Sequence, residues 1–161
     1  MSCSWEEIDK TLKWGCGLDV CEKNMDESEF VRWISFSKRT LDSARGDLER
    51  GDYNWACFKS QQAAEFALKA LLRGLGMPSY GHSLSRLLLE VGRVFQCEDD
   101  VVQAAKTLDK YYVPTRYPNA WVEGVPDDYY TRRDAEDAVR FAERIIFWIE
   151  GRWRSLKRGG E

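Results

Sequence analysis

The sequence has a single histidine, four prolines and no apolar run approaching the roughly 20 residues that cross a bilayer. A zinc site built on paired histidines is thereby excluded, and no membrane-spanning helix is expected. The opening run Met1-Ser2-Cys3-Ser4-Trp5-Glu6-Glu7 lacks the basic-then-apolar order of a secretion signal, so a soluble cytoplasmic protein is expected. Neither charge sign dominates. With 24 Lys and Arg against 27 Asp and Glu, the net charge is -3, which excludes a surface basic all round but leaves room for a local basic patch. The five cysteines, Cys3, Cys16, Cys21, Cys57 and Cys97, are odd in number and scattered along a chain long enough to build a core without staples. They read as reduced thiols. Cys16 and Cys21 stand five apart, outside the usual metal-ligand spacing, so neither a metal nor a cofactor is expected. Neither G-x-x-x-x-G-K-S/T nor G-x-G-x-x-G occurs. Any nucleotide must therefore be held by side chains and helix ends.

What the sequence does contain is helical periodicity. Ser4 with Glu7 is a capping signature before a short helix near residues 5–14, and residues 15–25 read as a linker onto the main domain. Asp26 with Glu29 repeats the signature, and Phe30, Ile34, Leu41, Ala44 and Leu48 follow at helical spacing up to Gly51. Asp52 is the expected cap of the next helix, whose core stripe is Cys57, Ala64, Leu68, Leu71 and Leu75. A second face of that helix is small, with Ala56, Ala63, Ala67, Ala70 and Gly74, and lets a neighbouring helix approach closely, within or between subunits. Its third face carries Gln61, Gln62, Glu65, Lys69 and Arg73. Ser83 opens a shorter helix through Phe95, Val101 to Tyr112 marks another stopped by Pro114, and Thr131 with Asp134 caps the last, whose apolar face is Ala135, Ala138, Ala142, Ile145, Ile149 and Trp153. No stretch alternates with period two. The fold class is therefore all-α: an up-and-down antiparallel bundle of four to five helices over residues 26–154, with an N-terminal extension over 1–25 and a basic flexible tail over 155–161.

Residues 113–130 hold three of the four prolines and no helical pattern, yet they are rich in aromatics. Tyr111 and Tyr112 lead in, then Tyr117, Trp121, Tyr129 and Tyr130 surround Arg116. Solvated disorder seldom carries so many rings, so this long loop before the last helix is expected to be ordered and packed on the bundle.

Three runs carry a family resemblance: Tyr53-x-x-Ala56-x-Phe58-x-Ser60-Gln61-Gln62-Ala63-Ala64-Glu65-x-Ala67-Leu68-Lys69-Ala70-Leu71-Leu72, then Gly81-His82-Ser83-Leu84, then Leu108-Asp109-x-Tyr111-Tyr112-Val113-Pro114-Thr115-Arg116-Tyr117-Pro118. Together they resemble the HEPN domain family (higher eukaryotes and prokaryotes nucleotide-binding) over about residues 28–153. The resemblance implies a helical bundle that pairs into a homodimer with a groove at or near the pair interface. It also implies a nucleotidyltransferase protein as partner in a toxin–antitoxin pair, and for many members metal-independent ribonuclease activity. Catalytic branches carry Arg-x4-6-His just before the last helix. Arg116 fits the arginine, but Trp121, Val122 and Glu123 stand where the histidine belongs, and the amide of nearby Asn119 cannot shuttle a proton as imidazole does.

The candidate nucleotide or RNA contacts are Arg116, Tyr112, Tyr117, Gln62, Lys69 and His82. Arg116 offers a planar fork for phosphate oxygens, or alternatively ties the loop to a carboxylate. Tyr112 and Tyr117 can stack on a base or simply fill the core. Gln62 and Lys69 belong to a stripe that lines a groove, or is a solvated face with an ordinary Glu65–Lys69 pair. His82 binds ligand or orients the turn before the Ser83 cap. The leading expectation is a dimeric nucleotide- or RNA-binding or nucleotidyltransferase-partner module without the full ribonuclease motif. The alternatives are a ribonuclease toxin depending on Arg116, and a pure interaction module that binds neither nucleotide nor RNA.

Overall fold

A computed structural model describes residues 25–159. The helix expected near residues 5–14 and Cys3, Cys16 and Cys21 lie outside them. Five α-helices follow in order: α1 (Glu27–Arg50), α2 (Tyr53–Gly74), α3 (Leu84–Val91), α4 (Asp99–Asp109) and α5 (Arg132–Gly159). Short 3-10 turns at Pro118–Ala120 and Pro126–Asp128 sit in the long connection before α5. The described residues contain no strand, as the sequence pattern requires.

Local chemistry explains most boundaries. Asp26 accepts a hydrogen bond from the Glu29 backbone N–H at 3.0 Å, opening α1. Gly51 closes it at φ 89°, a left-handed conformation in which a β-carbon is costly. Asp52 occupies the cap position of α2 but its side chain makes no capping bond, contrary to expectation, because it accepts instead from Arg50 Nε at 3.2 Å. α3 is shorter than the apolar pattern through Phe95, ending at Val91. Likewise α4 stops at Asp109, before Tyr112. α5 opens on a reciprocal box in which the Thr131 N–H donates to Asp134 at 2.8 Å and Thr131 Oγ1 accepts from the Asp134 N–H. Its far end corrects the expectation of a tail from residue 155, since the helix continues to Gly159. Leu156 packs on the core and Lys157 pairs with Glu27, which holds that last turn.

α2 is the axis of the bundle. It packs against α1 and α5 along its length and touches α3 and α4 as well. Its small stripe is wholly buried, and the close approach it permits is made within this chain. The tightest point is Gly74, where a β-carbon would lie 2.6 Å from Trp153 Cζ3 and 3.1 Å from Phe30 Cβ. Phe30 and Trp153 stack there at 4.1 Å, nearly parallel, so α1 and α5 meet across the glycine.

The proline-rich loop is ordered, as its aromatic content demands. Trp121 stacks on Tyr129 at 3.9 Å, meets Tyr130 edge-on, and donates Nε1–H to the Pro114 carbonyl at 2.8 Å. Buried Asn54 on α2 donates to the Thr115 carbonyl at 3.0 Å, fastening the loop to the axis.

Two outcomes follow from this packing. Gly74→Ala should cost about 1–3 kcal/mol through overpacking, read as a lower urea midpoint at unchanged slope. Burial also pushes the Cys57 thiol from its ordinary 9.0 up to about 12 and the Tyr111 hydroxyl from 10.0 up to about 12. Between those limits the folded chain holds protons that the unfolded chain has released. The contribution of these two groups should thus be fully present below about pH 9 and be lost as pH rises toward 12, which circular dichroism at graded alkaline pH will register.

Candidate functional site

Three separated stretches converge on one side of the bundle: the middle of α2, the turn Gly81–Ser83 entering α3, and residues 111–117 after α4. The first two meet at Glu65, and the third joins them through His82 and Phe58. α2 is buried on several faces, so the stripe that carries Glu65 is turned inward, and this carboxylate is only 1% exposed. Removing a carboxylate from water costs several kcal/mol unless donors replace the lost solvent. Here Lys69 Nζ donates at 2.8 Å, Gln62 Nε2 at 3.0 Å and His82 Nδ1 at 3.1 Å. The solvated-face reading of the stripe is therefore corrected: Gln61 and Glu65 are buried, and Lys69 is largely so.

The contact with Glu65 also fixes the histidine. An ionised carboxylate can only accept, so Nδ1 carries a proton, and in the neutral imidazole Nε2, across the ring, keeps its lone pair. Among the described residues Nε2 has no hydrogen-bond partner, and the side chain is 57% exposed. The backbone is secured too. Gln61 Nε2 donates to the His82 carbonyl at 2.9 Å while its Oε1 accepts from Gln62 at 2.7 Å. The His82 side chain thus ties the turn to α2, as one of its two expected roles required. Asp109 fixes the same turn from the end of α4, accepting from Ser83 Oγ at 3.1 Å and from the Leu84 and Ser85 N–H groups at 2.6 and 3.0 Å. The α3 N-terminus already has its anion, so it is not a phosphate site.

The third stretch adds the cation. Tyr112 stacks on the His82 ring at 4.8 Å and 15°. The Arg116 guanidinium carbon lies 4.7 Å from the Tyr112 ring centre, 4.3 Å from Phe58 and 5.1 Å from Tyr117. Its Nε–H donates to the Tyr112 carbonyl at 2.8 Å. No carboxylate pairs with Arg116 among the described residues, so the reading in which it ties the loop to an acid is corrected: rings and a carbonyl hold it. Each cation–π contact contributes about 0.5–2 kcal/mol and fixes the guanidinium plane, leaving terminal N–H groups for an anion.

The structure thus brings Arg116, Tyr112, Tyr117, Gln62, Lys69 and His82 into one neighbourhood, in two tiers. Gln62 and Lys69 lie behind the surface with donors committed to Glu65, whereas His82, Tyr117 and Arg116 face outward. The sequence left two positions without a role, Phe58, which packs on the guanidinium, and Asp109, and it assigned Glu65 to a polar stripe and a Lys69 pair rather than to orienting the imidazole. Phe58 had a signal, since it lies four residues before Gln62 on the same helical face. Trp121, standing at the position of the absent histidine, is a packing residue. Among the described residues no three His, Cys, Asp or Glu side chains cluster as metal ligands, and no helix is long and apolar enough to cross a membrane.

The HEPN domain model matches residues 30–152. The chain belongs to the HEPN domain family. Three solved structures support the assignment, each aligned over 76% of this HEPN chain: TT1696 from Thermus thermophilus at 43% identity, TM-score 0.74 and 96% of its own length; ST0689, an archaeal HEPN homologue, at 41%, 0.66 and 96%; and an HEPN domain protein from Thermotoga maritima at 36%, 0.63 and 98%. A Methanocaldococcus jannaschii protein named "Putative toxin MJ1304" is 26% identical over 123 residues, 71% of this chain and 81% of that one.

The buried network of this HEPN domain makes a stability forecast. Glu65→Leu leaves Lys69 and His82 facing an apolar side chain, and should cost about 3–5 kcal/mol in urea unfolding. Arg116→Ala, which removes three cation–π contacts and the bond to the Tyr112 carbonyl at a half-buried site, should cost about 1.5–3 kcal/mol.

Proposed function

We propose that this HEPN protein is a homodimeric module that binds the phosphates and bases of a nucleotide or RNA around Arg116, and that it works beside a nucleotidyltransferase partner. One observation carries the reading. A guanidinium without a carboxylate is held flat among Phe58, Tyr112 and Tyr117, beside an outward-facing imidazole. A fixed cation next to aromatic rings suits phosphate oxygens and stacked bases together. Gln62 and Lys69 contribute through Glu65 rather than by contact. The pairing with a nucleotidyltransferase, and the homodimer, rest on the family resemblance.

A second reading, a metal-independent ribonuclease toxin, is favoured by the Glu65–His82 contact, which leaves Nε2 facing outward as a general base requires. In that reading Nε2 takes the 2′-hydroxyl proton as O2′ bonds to phosphorus. The P–O5′ bond then breaks, and water protonates the departing oxygen, giving a 2′,3′-cyclic phosphate and a 5′-hydroxyl. Arg116 stabilises charge on the phosphoryl oxygens. The name of the Methanocaldococcus jannaschii relative also supports the toxin reading.

Labelled single-stranded RNA incubated without metal, then resolved on one gel, separates these readings. We expect retention by the native protein and at least a tenfold weaker affinity for Arg116→Ala. Retention without cleavage keeps the binding module, while cleavage abolished by His82→Gln establishes the ribonuclease. RNA that is neither retained nor cleaved overturns both. Size-exclusion chromatography with light scattering should give about twice the 18.7 kDa chain mass, and a monomer at micromolar concentration would overturn the pairing.

A further inference from the structure

A cavity of about 720 Å³ opens beside His82, between the turn after α2 and the exposed side of α3. Pro78, Tyr80, Arg86, Leu89 and Arg93 line it together with His82 itself. The site around Arg116 does not use it, yet the two share the imidazole, so anything lying across His82 passes from one to the other.

The lining has the chemistry of a strand-binding track. Tyr80 is 88% exposed, an unusual state for a large ring, and the backbone beneath it is fixed: Ser79 is buried, the His82 carbonyl is held by Gln61, and Ser83 is clamped by Asp109. Its backbone is thereby placed at the rim of the cavity, and its ring is left uncovered for a ligand to stack on. Leu89, 68% exposed, offers a second apolar surface one turn along α3. Arg86 has no carboxylate partner among the described residues. Arg93 pairs with Glu90, the one acid of the lining, at 3.2 Å, and so offsets its charge. Aromatic platforms alternating with cations along an open groove bind single-stranded nucleic acid through base stacking and phosphate contacts.

We propose that this cavity extends the Arg116 site into a track for a single-stranded polynucleotide, with a base on Tyr80 and a phosphate at Arg86, while Arg93 neutralises Glu90. The ligand is then a strand of several nucleotides rather than a mononucleotide. The proposal rests on the binding reading of the Arg116 site. The track selects by length, because only a strand reaching past His82 engages Tyr80.

Fluorescence anisotropy with an octauridylate and with a diuridylate, on the full chain, tests it. We expect the octamer to bind at least tenfold more tightly than the dimer. Tyr80→Ala and Arg86→Ala, both at exposed positions, should each weaken the octamer about tenfold, suppress its salt dependence in the arginine case, and leave the dimer unchanged. Arg116→Ala should weaken both probes. Equal affinity for the two lengths, or an octamer indifferent to Tyr80 and Arg86, overturns the track while leaving the Arg116 site standing. An octamer lost through Tyr80→Ala but not through Arg116→Ala keeps the track and overturns the Arg116 reading. No octamer binding by the native protein overturns the track and turns the groove toward a protein partner. A deoxyoctamer of the same length distinguishes RNA from DNA as the strand.

Discussion

A carboxylate that cannot reach water governs the arrangement of the functional face. Glu65 sits inside the bundle, and its negative charge is tolerable only because three donors from two segments surround it. Two of those donors come from α2 itself, one helical turn to either side. The third comes from the turn after α2, and this one converts a local charge pair into a tertiary constraint. The imidazole can satisfy Glu65 only if residues 81–83 lie where they do, and Tyr112 can stack on the imidazole only if the chain after α4 returns to the same place. The position of Arg116 then follows, since its guanidinium rests on Tyr112 and on Phe58 of α2. Geometry thus propagates outward from one buried charge to the exposed groups.

The helices were legible because they obey one rule: apolar residues at helical spacing between capping signals. Phe30 to Leu48 and Ala135 to Trp153 are patterns of that kind, and both became helices with the expected faces inward. Helix ends were less legible where side chains had competing partners. Asp52 illustrates this, being drawn to Arg50, and so does the last turn of α5, which Leu156 and Lys157 secure through contacts with distant residues. Such contacts leave no mark at short sequence spacing.

The site was legible in membership but not in depth. Gln62, Lys69, His82, Tyr112, Arg116 and Tyr117 could be gathered from their motifs. Nothing in local spacing said that the stripe of α2 would be enclosed, because Gln, Glu and Lys are ordinarily surface residues and only the wrapping of α3, α4 and the long loop around α2 removes them from solvent. Close to Arg116 in the chain stand Trp121, Val122 and Glu123, with no histidine among them. An imidazole was nonetheless brought to the neighbouring ring from 34 residues upstream in the chain. Sequence distance and spatial distance part company wherever a rigid helix carries the link.

Asp109 makes one further property of the architecture intelligible. By accepting from Ser83, Leu84 and Ser85, it fastens the exit of α4 to the entrance of α3, so that these two helices, which also pack on α2 and α5, start and finish at a single knot. Between them Phe95 and Cys97 pack on the core and Glu98 pairs with Arg144 and Arg152. The exposed residues 92–94 are accordingly where this framework can absorb insertions or deletions over evolutionary time. Such changes would reshape the rim of the groove while the histidine before the knot and the tyrosine after it keep their registration.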